Sequence, residues 1–168
     1  MIFIFFSCMS NELTPIGLGR SGHSEGLQYI EINENFLFSD DELQLMEDIN
    51  FIRTNTELPE LIPLESIGYL ARFHSEEMAS GVVELGHNGF YERILSLNKS
   101  IEIYTAAENI GVNSDTSPLL SAVEGWMGSE DHKENILGDY NYSGVGIAYD
   151  DYDAVYLTQI FVFGTPID

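Results

Sequence analysis

Three side chains in this 168-residue sequence combine types able to hold and polarise a ligand: His87, Glu108 and His132. His87 falls in Leu85-Gly86-His87-Asn88-Gly89, between the end of one helical stretch and the start of the next, where loops present functional groups. His132 falls in the first turn of a helix opened by Ser129, where the positive end of the helix dipole disfavours an imidazolium. A neutral imidazole is the form that binds a metal. Glu108 lies in Ala106-Ala107-Glu108-Asn109-Ile110, an apolar setting where acids are seldom found without a partner. Two histidines and a carboxylate can hold a zinc-like divalent cation with one coordination position left open. The three are 21 and 24 residues apart and no compact His-Glu-x-x-His motif exists, so spacing alone does not impose the site.

The remaining chemistry is sparse. His74 sits on an apolar helical stripe, the setting of a hydrogen-bonded core histidine, and His23 lies in a polar, Gly-rich stretch open to solvent. Arg93 reads as an anchor for the loop after His87, pairing with an acid. Asn113, Asp115, Ser117 and Glu124 mimic calcium-loop positions, but Pro118 stands where such a loop requires glycine. There is no Gly-x-x-x-x-Gly-Lys, no Gly-x-Ser-x-Gly and no dinucleotide fingerprint, so phosphate cradling and serine nucleophilic catalysis have no support.

The elements that must position these residues can be read from periodicity and caps. Ser39-Asp40-Asp41-Glu42 is a capping box, and Leu45, Ile49 and Ile52 follow at helical spacing to about Asn55. Pro59 and Pro63 punctuate a connection. A second helix is predicted from about Leu64 to Ser80, with Ile67, Ala71, His74 and Met78 on one stripe. A short helix over Phe90 to Leu95 is expected with Asn88 as its cap. Ser117-Pro118 starts another, with Leu120, Val123 and Met127 on its buried side. Ser129 opens a brief turn of helix, Glu130 to Leu137, closed by Gly138. The period then changes: Val145, Ile147 and Tyr149 alternate, Asp150 to Asp153 supply turn chemistry, and Ala154 to Phe163 are rich in β-branched and aromatic residues. This is an antiparallel hairpin. Helices first and strands last, without βαβ alternation, indicate an α+β domain.

Composition bounds the function. Hydrophobic residues make up 44%, with 10 Phe and 9 Tyr, enough for one globular core. Against 28 Asp and Glu stand 6 Lys and Arg, a formal charge of -22. Such a surface repels phosphate backbones, since binding them depends on clustered cations, so nucleic-acid partners are excluded. The single cysteine, Cys8, excludes an internal disulfide framework.

Residues 1–38 read as a segment apart from the domain at 39–168. The run Met1-Ile2-Phe3-Ile4-Phe5-Phe6-Ser7-Cys8 is too short to span a bilayer, which takes roughly 20 residues. It resembles the end of a bacterial lipoprotein signal: Ser7 suits the position before a lipid-bearing cysteine, although Phe6 does not fit and no basic n-region precedes it. On this reading Cys8 is acylated and the chain is displayed at the cell envelope. From Ser10 to about Ser24 the sequence is a Gly-rich tether, and Leu27 to Phe38 alternates loosely as one strand or an extended arm.

Six ordered blocks carry a family resemblance. They are His74-Ser75-Glu76-Glu77-Met78; His87-Asn88-Gly89-Phe90-Tyr91-Glu92-Arg93; Ala107-Glu108-Asn109-Ile110; the stretch from Ala122 through Trp126 and Ser129-Glu130-Asp131-His132 to Leu137; Tyr142-Ser143-Gly144-Val145-Gly146-Ile147; and Tyr156-Leu157-Thr158-Gln159-Ile160-Phe161. From about Ser39 to Phe163 the chain resembles a bacterial CAP domain, of the superfamily of cysteine-rich secretory proteins, antigen 5 and pathogenesis-related 1. The resemblance implies a three-layer α-β-α sandwich around an antiparallel sheet, an extracytoplasmic location, and a central cavity where some members bind a divalent cation. Carried residue by residue, it matches His87, Glu108 and His132 to the cavity. Ser129 stands where animal and plant members have a further glutamate, and the adjacent Glu130 is the candidate replacement. The Ser-Pro-Gly-His pattern reads here Ser129-Glu130-Asp131-His132, with added negative charge.

Function is carried by sites rather than folds. The favoured expectation is a binding module with a divalent cation, zinc for instance, in its His/Glu cavity and a protein or lipid ligand. One alternative is a metal-dependent hydrolase, such as a peptidase, with Glu108 as ligand or general base. Another is a metal-free surface interaction domain.

Overall fold

The computed structural model describes residues 29–115 and 117–167, together with the backbone of residues 4–10. The Gly-rich tether and His23 lie outside the described residues. Ten elements follow in order: β1 (Ile4–Ser10), α1 (Asp40–Asn55), β2 (Ile62–Pro63), α2 (Glu65–Ala79), α3 (Phe90–Leu97), β3 (Ile101–Asn113), α4 (Pro118–Gly128), α5 (Glu130–Ile136), β4 (Tyr142–Tyr149) and β5 (Val155–Pro166).

The sheet has strand order β1-β3-β5-β4-β2. The β1/β3, β3/β5 and β4/β5 pairs are antiparallel, and the two-residue β2 runs parallel to β4. Alternation of side chains across β3 and β5 sends neighbours to opposite layers. Ala107, Leu157 and Phe161 pack with Leu45 and Ile49 of α1, Trp126 of α4 and Ile136 of α5. Ala106, Ile160 and Val162 pack with Ile67, Leu70 and Ala71 of α2 and Phe90, Ile94 and Leu97 of α3. The result is the α-β-α sandwich that the resemblance implies, with α1, α4 and α5 on one face and α2 and α3 on the other.

The capping box at Ser39 is present in both directions: the hydroxyl accepts from Glu42 N at 3.3 Å, and Ser39 N donates to Glu42 Oε2 at 2.8 Å. Glu42 is itself buried. Its carboxylate takes Arg72 of α2 and the backbone N–H of Ile147 in β4, tying the first helix to both. On the other side of the sheet, α2 lies directly against β4. A Cβ at Gly144 would lie 2.3 Å from Gly68 N, and one at Gly146 would lie 1.9 Å from Arg72 N. Glycine is needed there because only bare backbone lets the helix approach so closely.

Several expectations need correction. β3 is not among the strands that the sequence pattern predicts. Its stretch from Ala106 to Gly111 is buried on both faces, so it lacks the apolar-polar alternation of a half-exposed strand. Asn88 does not cap α3; Gly89, at φ 77°, takes the N-cap position. Ser117 and Ser129 occupy N-cap positions without a side-chain cap bond. Val123 is buried as expected and Met127 packs partly buried against the core, but Leu120 is exposed, and Ala122 and Trp126 complete the buried side of α4. Residues 29–38 form the arm, one of the two forms expected for this stretch. Phe36 is buried in it, its ring in edge contact with Phe38 and Tyr69 and beneath the Arg72 guanidinium at 4.2 Å. Ile4–Ser10 form the edge strand β1, with Cys8 opposite Glu108 in the register.

Candidate functional site

Glu108 is fully buried near the middle of β3, on the face covered by α2 and α3. Arg93 of α3 meets it with a bidentate fork: Nε donates to Oε2 at 3.0 Å, and Nη2 donates to Oε1 at 2.8 Å and Oε2 at 2.7 Å. His87 Nδ1 adds a contact to Oε1 at 2.9 Å. Because the carboxylate is an acceptor only, this nitrogen carries the proton. Burial alone would raise the Glu108 pKa, but the Arg93 charge and the His87 hydrogen bond outweigh it and hold the group below the usual carboxylate value. Arg93 Nη1 also donates to Asn88 O at 2.8 Å, which closes the loop carrying His87. The loop anchor read from the sequence is thus this residue, and Glu108 is the acid it pairs with.

His74 joins the cluster from α2. Its Nε2 donates to Gly86 O at 2.8 Å, so Nδ1 is a lone-pair acceptor; that atom is buried, without a hydrogen-bond partner, and 3.9 Å from Glu77 Oε2. Burial, reinforced by the Arg93 charge, pushes His74 down to about 4, so it is neutral at ordinary pH. It is a core histidine, as its apolar stripe indicates.

His132 occupies a different place. Its backbone carbonyl accepts from Asn109 Nδ2 at 3.1 Å, and Asn135 Nδ2 donates to Asn109 Oδ1 at 2.8 Å. Asn109 is the strand neighbour of Glu108, so its side chain leaves the opposite face of the sheet, toward α5. The structure therefore unites His87 with Glu108 and sets His132 in the other layer, where it is buried. Glu130 is exposed in the first turn of α5.

Both Glu108 carboxylate oxygens are engaged by the Arg93 guanidinium, and His87 Nδ1 adds a bond to Oε1. Among the described residues no group of three or more His, Cys, Asp or Glu side chains is arranged to hold a metal ion.

A family model described as CAP, the Cysteine-rich secretory protein family, matches residues 46–161, from within α1 into β5. The chain belongs to the CAP family. This CAP domain is 30% identical over 131 residues to an uncharacterized membrane protein, YlbC, of Bacillus subtilis (strain 168), covering 72% of this chain and 34% of that protein. The chain thus spans about a third of that relative's length. An outer surface protein from Borrelia burgdorferi shares the fold with TM-score 0.65 at 17% identity, over 76% of this chain and 95% of that one. An extracellular protein containing a SCP domain from Bacillus anthracis str. Ames superposes with TM-score 0.61 at 25% identity, over 73% and 40%. Among the described residues of this CAP domain no helix is long and apolar enough to cross a membrane.

One feature of the CAP domain is missing from the sequence-based expectations. A cleft of about 520 Å³ opens between α2, α3 and the arm, with Tyr69, Phe73 and Glu77 on the α2 side and Glu92 and Arg93 on the α3 side. Tyr69 and Phe73 are four apart on one helix, as are Phe73 and Glu77, and that spacing is the available signal.

Proposed function

We propose that this CAP domain is an extracytoplasmic binding module that acts by recognition, with the His87-Glu108-Arg93 cluster serving as an internal brace. The observation that carries this reading is the state of Glu108. It is fully buried and both its oxygens are engaged by Arg93 and His87, leaving it unsuited to activate water or to ligate a cation. An ion pair so enclosed acts on geometry and specificity of the fold.

Zinc titration of the full chain by calorimetry tests this, comparing wild type with His87→Ala and His132→Ala. The expected result is no saturable one-to-one binding that either substitution removes. A wild-type site lost in His87→Ala would restore the cation reading and overturn this one. A hydrolytic activity abolished by Glu108→Gln in a chain that still folds would do the same.

The extracytoplasmic placement draws support from the surface and extracellular proteins that share the fold. A fusion of residues 1–38 to alkaline phosphatase, which is active only after export, should yield active reporter; an inactive, cytoplasmic fusion counts against it. Attachment through an acylated Cys8 makes a further demand, because cleavage before Cys8 would withdraw Ile4–Ser7 from β1. Intact mass of the protein recovered from cells decides: a lipid-bearing chain beginning at Cys8 upholds attachment, and a chain retaining Ile4–Ser7 refutes it.

A further inference from the structure

We propose that the cleft between α2, α3 and the arm binds an ammonium group carried on an apolar stem. The proposal rests on the recognition reading above and names the ligand class.

The walls are apolar and aromatic. Tyr69 and Phe73 stack with centroids 6.4 Å apart at 28°, and Ile30 and Val83 extend the apolar lining. The charged groups around them are carboxylates: Glu77 from α2, Glu92 from α3 and Glu31 from the arm. The cation in the lining, Arg93, is 1% exposed, and its guanidinium is committed to Glu108 and Asn88 O. The cleft is therefore electronegative, with π faces that attract a cation. Its volume of about 520 Å³ suits a small organic group.

A second observation, independent of charge, points to a donor. His74 Nδ1 is an acceptor with no hydrogen-bond partner, its side chain is wholly buried, and it faces Glu77 Oε2 across 3.9 Å. Two acceptors face one another there, and among the described residues no donor reaches His74 Nδ1. Glu77 lines the cleft, and the wholly buried His74 lies behind it, three residues back on α2. An ammonium N–H in the cleft can donate to the Glu77 carboxylate, which faces the His74 lone pair from the other side. The chain already uses the same chemistry beside the cleft: the Lys99 ammonium stands 5.4 Å over the Tyr29 ring.

The test is calorimetric titration of the full chain with phenethylammonium, set against its neutral N-acetyl derivative and the anion 3-phenylpropionate. Saturable one-to-one binding is expected for the ammonium. Glu77→Gln should weaken it about tenfold or more, the loss of one charge-assisted hydrogen bond, with thermal unfolding unchanged. Phe73→Leu, which keeps apolar volume and removes the ring, should weaken it less. A capped peptide with one internal lysine forms a further arm. Binding of the peptide in preference to the amine assigns the group to a protein lysine, the reverse assigns it to a free amine, and both uphold the site. Equal binding of the neutral or anionic probe, wild-type affinity in Glu77→Gln, or no saturation with any cationic probe overturns it. If zinc titration is silent while the ammonium probes fail, the recognition reading stands and this proposal falls. If zinc binds through His87, the recognition reading falls whatever the amine does.

Discussion

Arg93 and Glu108 face each other as a fully buried, bidentate ion pair, with Nη2 2.8 and 2.7 Å from the two carboxylate oxygens and Nε 3.0 Å from one of them. The pair joins α3 to the middle of the sheet and, through Asn88 O, fixes the loop bearing His87. Arg93→Met would leave an uncompensated buried carboxylate, a loss of about 3–5 kcal/mol. The double variant Arg93→Met/Glu108→Met should lose clearly less than the sum of the two single changes. Urea denaturation of the three variants measures this, and additive losses would mean that the two side chains do not act as a pair.

Acid stability should carry the signature of His74. Its folded pKa of about 4 lies below the ordinary 6.5, so above 6.5 it is neutral in both states. Between 6.5 and about 4 the unfolded chain takes up a proton that the folded chain refuses. Stability contributed by the neutral ring is therefore complete above 6.5 and is lost as pH falls, at up to about 1.4 kcal/mol per unit. Glu108, held below its usual value, acts in the same direction at lower pH. Its contribution is present above the unfolded carboxylate pKa and disappears as pH falls through the folded one. His74→Gln should flatten the upper part of the stability-pH curve and leave the lower part; an unchanged slope from 6.5 to 4 would count against the assignment.

Arg53 has a different role, with no carboxylate in its hydrogen bonds. It is wholly buried at the end of α1, and its guanidinium donates to the carbonyls of Pro59, Ile136, Gly138 and Tyr140 at 3.0, 2.7, 2.9 and 3.3 Å. A lysine cannot reach four acceptors from a planar fork. Arg53→Lys should cost about 2–4 kcal/mol, measured by thermal or urea unfolding, because buried carbonyls are left unsatisfied. A loss below about 0.5 kcal/mol would show that solvent reaches these carbonyls.

Gly146 should tolerate no side chain at all. Its added Cβ would overlap backbone atoms of α2 rather than a flexible side chain. Gly146→Ala should destabilise by more than about 4 kcal/mol or abolish folding. Gly128→Ala, with nothing within 4 Å of the new atom, should be close to neutral. Soluble yield and unfolding midpoints of the two variants compare them directly.

The local devices are legible in the sequence because their causes are local. The Ser39 box opens α1, the apolar stripe of α2 contains Ile67, Ala71, His74 and Met78, and the Asp-rich turn joins β4 to β5, where Asp150 Oδ1 accepts from the N–H groups of Tyr152 and Ala154. The order of the six blocks suffices for the family and the sandwich, since each block sits at an element boundary or on a buried face. β3 stays hidden because a strand covered on both sides loses the period that would reveal it. Without that strand, Glu108 and Asn109 look like one motif. Only tertiary structure could divide them, because adjacent strand residues point to opposite faces. Glu108 goes to Arg93 and His87, whereas Asn109 goes to the layer of His132. The apolar sequence around them marked Glu108 and His74 as interior residues. Which side chains meet was decided by the register of β3 and the packing of α3 and α5 against its two sides.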